Sequence, residues 1–144
     1  MMKVAIGSDH GGFVLKEIVK EHLKERGFEV DDKGCDSLAS VDYPKYGRAV
    51  ANAVASGEAD RGVVICTTGI GISIVANKIK GIRAALCSDV TSARLTRAHN
   101  DANVLAMGGA IIGQMTALDI VDVFMDTEFS NMEKHKRRIA AIEE

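Results

Sequence analysis

Residues 62–73 read Gly-Val-Val-Ile-Cys-Thr-Thr-Gly-Ile-Gly-Ile-Ser, and this order decides the fold. Gly62 to Cys66 is a continuous apolar run without alternation. That is the pattern of a strand buried on both faces in the middle of a parallel sheet. Gly69 and Gly71 follow within a few residues, and an apolar helix-like stretch then runs to about Asn77. In a strand–turn–helix of this kind the backbone N–H groups of the turn converge on one point. The helix N-terminus adds its partial positive charge, so the turn is an anion pocket.

The same alternation extends outward. Lys3–Ser8 reads as a first strand, and Phe13 to Lys24 carries apolar residues at 14, 15, 18, 19 and 23, a helical period. Gly27, just past a basic last turn, stops that helix, and Phe28–Asp32 reads as a second, more exposed strand. Ser37 to Asp42 is a loop. Pro44 suits the first turn of a helix running to about Ser56. Beyond residue 77 we expect a strand at Arg83–Cys87, a helix from Asp89 to Ala98, a strand at Val104–Met107, a helix from Gly113 to Asp126 and a polar helix from Met132. Alternating strands and helices predict an α/β fold: a doubly wound five-stranded parallel sheet, Rossmann- or flavodoxin-like, with a C-terminal helix. The expected strand order is 2-1-3-4-5, in one domain covering residues 1–144. In such a sheet ligands bind beyond the carboxyl ends of the strands where the order reverses, here after strands 1 and 3.

Composition removes several classes of partner. The formal net charge is -2, so no electrostatic argument favours nucleic acid or a membrane surface. Three cysteines with no C-x-x-C pair read as reduced thiols of a cytoplasmic protein, not a disulfide frame or zinc site. Met1 leads straight into a strand-like segment with no signal core, and no apolar run reaches the length of a membrane span.

Three segments carry chemistry. Cys66 stands at the rim of the anion pocket, where a thiolate is favoured, with Thr67 and Thr68 beside it; the bland alternative is a buried apolar cysteine and glycines needed for the turn alone. After strand 1 comes Ser8-Asp9-His10-Gly11-Gly12. An acid and an imidazole at the switch point can hold a polyol and an anion together, although N-capping by Ser8 or Asp9 would also explain them. His99-Asn100 ends the fourth helix. A helix of about ten residues spans about 15 Å, which puts this pair at the sheet edge opposite Cys66. Either His99 is structural or a second copy of the chain completes the site. His22 reads as a solvated helix residue and His135 as a surface residue or anion ligand. Cys35 and Cys87 lack a glycine-rich pocket and read as structural.

Familiar phosphate-binding patterns do not fit. G-x-x-x-x-G-K-[ST] is absent, as is G-x-G-x-x-G after the first strand. A tyrosine-phosphatase loop would need arginine six residues after the cysteine, where Ile72 stands, and would lack its main stabiliser of phosphate charge. The segments Gly7-Ser8-Asp9-His10-Gly11-Gly12-Phe13, Val41-Asp42-Tyr43-Pro44, Cys66 through Ser73 with Ala76-Asn77-Lys78, Gly81-Ile82-Arg83-Ala84 and His99-Asn100-Asp101-Ala102-Asn103 together resemble the ribose-5-phosphate isomerase B family, which also contains the galactose-6-phosphate isomerase subunits. The resemblance spans nearly the whole chain.

The resemblance implies an aldose–ketose isomerase acting on ribose 5-phosphate, ribulose 5-phosphate or a related sugar phosphate through an enediolate. Cys66 would be the proton-transfer base, and Thr67, Gly69, Ile70 and Gly71 would form a binding loop assisted by Thr68. His99 from a partner subunit would open the sugar ring, Asn100 would bind substrate beside it, and Asp9 and His10 would hold hydroxyls or phosphate. It further implies a homodimer or tetramer with shared sites, and no metal or organic cofactor. Three positions depart from the pattern. Thr67 replaces a glycine, Ala110 replaces a phosphate-contacting arginine, and the C-terminal basic segment is altered. With one insertion Lys134 and Arg138 take the places of its phosphate-binding arginines; without it Glu133 and Arg137 do. These changes leave open an isomerase of another tetrose, pentose or hexose phosphate, and, as a second class, a sugar-phosphate-binding protein without catalysis.

Overall fold

The computed structural model describes residues 2–144. Five parallel strands form one sheet: β1 (Lys3–Ser8), β2 (Glu29–Asp32), β3 (Arg61–Cys66), β4 (Ala84–Leu86) and β5 (Val104–Gly108). Six α-helices connect and flank them: α1 (Phe13–Glu25), α2 (Tyr43–Ala55), α3 (Ile70–Asn77), α4 (Val90–Asn100), α5 (Gln114–Asp126) and α6 (Glu133–Ile142). A single 3₁₀ turn, His10–Gly12, leads into α1.

The strand order is β2-β1-β3-β5-β4, which corrects the expected 2-1-3-4-5 at its far edge. Burial explains the exchange. All five residues of β5, Val-Leu-Ala-Met-Gly, are buried, whereas β4 is three residues long and none is fully buried. The strand that is apolar throughout takes the interior place beside β3, and the short one becomes the edge. The connection from β4 back to β5 therefore runs in the reverse direction, and a right-handed crossover carries α4 to the other face of the sheet. The two cores agree with this. Leu15, Val19 and Leu23 of α1, Ala93 of α4 and Ile120 and Phe124 of α5 pack one face. Val50, Ala51 and Val54 of α2 with Ile72 and Ala76 of α3 pack the other.

Local chemistry sets the element ends near the site. Pro44 lies in the first turn of α2, where its missing N–H costs nothing. Asp89 caps α4 by accepting the Ser92 N–H at 2.7 Å. The Lys16 side chain is 1% exposed and donates to both oxygens of Asp32 at 2.9 and 2.7 Å. Burial alone would raise the Asp32 carboxyl, but the hydrogen bonds from Lys16, the Gly34 amide and Lys20 outweigh it and hold the group below its ordinary range. This pair fixes the start of the loop leading from β2 to α2. That loop then runs beside the carboxyl end of β1, where Ser8 N–H donates to Gly34 at 2.7 Å and Cys35 N–H to Ser8 at 2.8 Å.

Candidate active site

Asp9, His10, Tyr43, Cys66, Thr67, Thr68, Ile70 and Gly71 line a cleft of about 400 Å³ at the carboxyl ends of β1 and β3. The switch point expected from the sequence is thus where these residues meet. Cys66 ends β3 with 5% exposure, and its Sγ accepts the Gly69 N–H at 3.1 Å. Gly69 makes this turn possible. Its φ of 79° lies in the left-handed region, and a Cβ there would sit 2.6 Å from the Met107 backbone. The Thr68 hydroxyl accepts the Ile70 N–H at 3.2 Å. Two of the loop amides expected to face a ligand therefore turn toward the cysteine sulfur and the threonine hydroxyl. The first-turn N–H groups of Gly71 and Ile72 lack intrahelical acceptors, as at any helix start.

The β1 loop supplies the opposite wall. Asp9 is 6% exposed and accepts the Gly12 N–H at 3.1 Å, which leaves its second carboxylate oxygen for the cleft. His10 Nδ1 accepts the Val41 N–H at 3.1 Å, so in the neutral ring the proton lies on Nε2. Tyr43 was missed by the site reading, although it lies in the quoted Val41–Pro44 segment. Its ring stands over Gly71, where a Cβ would come within 2.5 Å of Cζ. Its position just before Pro44, at the start of α2, was the available signal.

Thr67 closes the junction between the loops. A Cβ on residue 11 would overlap its hydroxyl, so the Thr67 side chain packs directly on Gly11. The Thr67 carbonyl accepts the Ala110 N–H at 2.9 Å, and the Cys66 carbonyl accepts that of Gly109 at 2.8 Å. Residue 110 is therefore held at the rim of the same cleft by the β5 loop.

The other predicted residues lie elsewhere in the chain. His99 is an exposed residue near the end of α4, and its ring stacks on His135 of α6 at 4.4 Å between centroids. Lys134 and Arg138 are near enough to His135 to act on its proton equilibrium, whereas Glu133 is exposed and pairs with Lys136 at 3.5 Å. Asn100 lines a separate cleft of about 480 Å³ with Arg83, Thr96 and Glu143. His22 is not a solvated bystander: its Nε2 lies 2.7 Å from Asp122 on α5. Burial, and after it the Asp89 carboxylate, push the Cys87 thiol up to about 11, so this cysteine stays protonated and inert.

Fold and cleft together define a doubly wound α/β protein with a cysteine in the cleft at its switch point. The sequence matches the Ribose/Galactose Isomerase family over residues 4–142. It is 51% identical over 142 residues to ribose-5-phosphate isomerase B of Escherichia coli strain K12, covering 99% of this chain and 95% of that protein. It is 43% identical over 143 residues to galactose-6-phosphate isomerase subunit LacB of Clostridium acetobutylicum, covering 99% and 83%. The solved structure of Clostridium thermocellum ribose-5-phosphate isomerase B superposes with a TM-score of 0.97 at 54% identity, covering 99% and 95%. The chain belongs to the ribose/galactose isomerase family and is an isomerase. Of the two function classes left open by the sequence, catalysis is the one this family carries.

Proposed function

We propose that this isomerase interconverts ribose 5-phosphate and ribulose 5-phosphate, with Cys66 moving the proton between C2 and C1. The observation that carries the reading is the Cys66 Sγ in a cleft between a glycine-turned loop and the Asp9–His10 pair. The Cys66 thiolate takes the C2 proton of the open-chain aldose, and the electron pair moves onto O1 to form the enediolate. The O2 hydroxyl proton passes to O1, and the thiol returns its proton to C1 as the C2 carbonyl forms. The Thr68 hydroxyl and the Gly71 N–H hold the developing oxygen charge, as oriented O–H and N–H donors do at an oxyanion, while the rest of the loop Thr67–Gly71 shapes the cleft around the substrate. Asp9 accepts from a substrate hydroxyl, and His10 donates from Nε2.

The proposal includes two copies of the chain per pair of sites, in a homodimer or a tetramer built from such dimers. His99 and Asn100 close α4, before β5, whereas the Cys66 cleft lies at the carboxyl ends of the strands. A partner subunit supplies these two residues with Lys134 and Arg138, the latter pair for phosphate. Support for a partner also comes from the β4 edge, where Ile70, Ile74, Leu86 and Leu95 are 39–54% exposed. His99 protonates the ring oxygen as the C1–O4 bond breaks, and the anomeric hydroxyl loses its proton to solvent as the C1 carbonyl forms. We place this chemistry in the cytoplasm, consistent with three free cysteines.

Cys66→Ala tests the base. Loss of a positioned base typically costs about 10²–10⁴ in rate. Exchange of the C1 proton of ribulose 5-phosphate with deuterated water is expected to fall with turnover, while the circular dichroism spectrum and melting temperature stay near wild type. Turnover at the wild-type rate in a folded Cys66→Ala protein would remove Cys66 from the mechanism.

A further inference from the structure

The His99 ring does not stand alone. His135, 6% exposed on α6, stacks on it with ring centroids 4.4 Å apart and planes 34° from parallel. His135 is in turn pinned on its other side: Ser130 Oγ lies 2.6 Å from its Nδ1. The same Oγ accepts the Met132 N–H at 3.2 Å, which holds the hydroxyl in place beside the ring. Ser130 itself is tied to α4 by its N–H, which donates to the Ala98 carbonyl at 3.0 Å. The resulting chain Ser130–His135–His99 joins the loop before α6 to the end of α4. Neither Ser130 nor His135 has a part in the proposed isomerisation steps.

We propose that His135 is a positioning residue for His99, fixing the plane of that imidazole and confining the ring-opening proton to it. This rests on the reading that His99 opens the sugar ring. The groups facing His135 are His99 from α4, Lys134 and Arg138 from its own helix, Ser130 from the preceding loop, and the Phe129 ring with centroids 6.4 Å apart. Burial first, then the charges of His99, Lys134 and Arg138, lower its affinity for a proton. The surroundings of His135 therefore disfavour charge on its ring. The neutral His135 ring presents a π face to His99, which is favourable toward an imidazolium, whereas two charged rings would repel. His135 acts through His99 without needing contact with substrate.

The test separates ring opening from enolisation. Ribulose 5-phosphate has no furanose form, so solvent exchange of its C1 proton needs Cys66 but no ring opening. His135→Ala is expected to lower turnover of ribose 5-phosphate roughly 10- to 100-fold, the range seen when a group orienting an acting residue is lost. C1 exchange from ribulose 5-phosphate should remain within about twofold of wild type. Ser130→Ala removes one exposed hydroxyl and should give a smaller loss in the same direction. His135→Phe keeps an aromatic face and should recover part of the turnover, but with the pH profile of ring opening displaced. The ¹⁵N spectrum of wild type should show one dominant tautomer of His135, with that preference reduced in Ser130→Ala. If His99→Asn retains full turnover of ribose 5-phosphate, the ring-opening assignment of His99 is wrong. If His99→Asn loses turnover while His135→Ala keeps the wild-type rate and pH profile, the positioning role is wrong. Equal loss of turnover and C1 exchange in His135→Ala would also overturn it.

Discussion

At the cleft rim, Ala110 and Thr67 are one hydrogen bond apart, and both are departures from the pattern of the resembled family. Thr67 spends its side chain on Gly11, and Ala110 offers no charge to a phosphate. A hydrogen bond to a charged group contributes roughly 1.5–3 kcal/mol, or about one to two powers of ten in affinity. Ala110→Arg is accordingly expected to lower KM for ribose 5-phosphate by about tenfold, with kcat changed less. Steady-state kinetics on ribose 5-phosphate, allose 6-phosphate and free ribose would check this. An unchanged KM for ribose 5-phosphate would show that Lys134 and Arg138 already fill the role. At this scale much was legible. Cys66, Thr68, Asp9 and His10 follow from strand ends and glycine spacing, which are local properties. The Val41 amide on His10 was not legible, because it reaches the cleft through a loop whose path depends on the buried Lys16–Asp32 pair.

Among the elements, α6 is the one whose docking depends most directly on protonation. His135 has a depressed proton affinity in the fold, so between its folded value and the unfolded value of about 6.5 the unfolded chain binds more protons. Stability then rises with pH across that window. The contribution of neutral His135 to the docking of α6 is fully present above about pH 6.5 and is lost as pH falls through the lower, folded value. Hydrogen exchange at pH 7.5 and pH 5 should show amides of 133–142 losing protection at the lower pH ahead of those in β3 and β5. Greater protection of α6 in acid would contradict the sign. The elements themselves were nearly all legible, with ends displaced by no more than two residues. The error in strand order came from treating sequence neighbours β3 and β4 as spatial neighbours. The better indicator was the uninterrupted burial of Val104–Gly108 against the three-residue β4.

For the whole molecule, the proposed function places the Cys66 half of one site and the His99 half of another on the same chain. Cys66→Ala and His99→Asn variants, each inactive alone, should regain activity when mixed, because a mixed dimer holds one site with both residues intact. If subunits assort at random, about half of the dimers are mixed and each has one of two sites complete, so recovery should approach about a quarter of wild type. Subunit exchange verified by mass spectrometry without any return of activity would rule out the shared site. What the sequence made legible is the separation alone: the length of α4 puts His99 at the sheet edge opposite Cys66 within one chain.

The exchange of β4 and β5 also sets a timetable for synthesis. The chain makes its edge strand before the strand that holds it: β4 pairs with β5 and has no other strand neighbour. A nascent chain that has emerged as far as residue 100 can assemble β2-β1-β3, but its Ala84–Leu86 segment has nowhere to dock until Val104–Gly108 arrives. Domains build from the N-terminus as they leave the ribosome, and unpaired strand edges are exposed meanwhile. Ribosome-stalled chains ending near residue 100 should therefore present Leu86 and the open edge of β3 to chaperones, and release of some twenty further residues should close both at once.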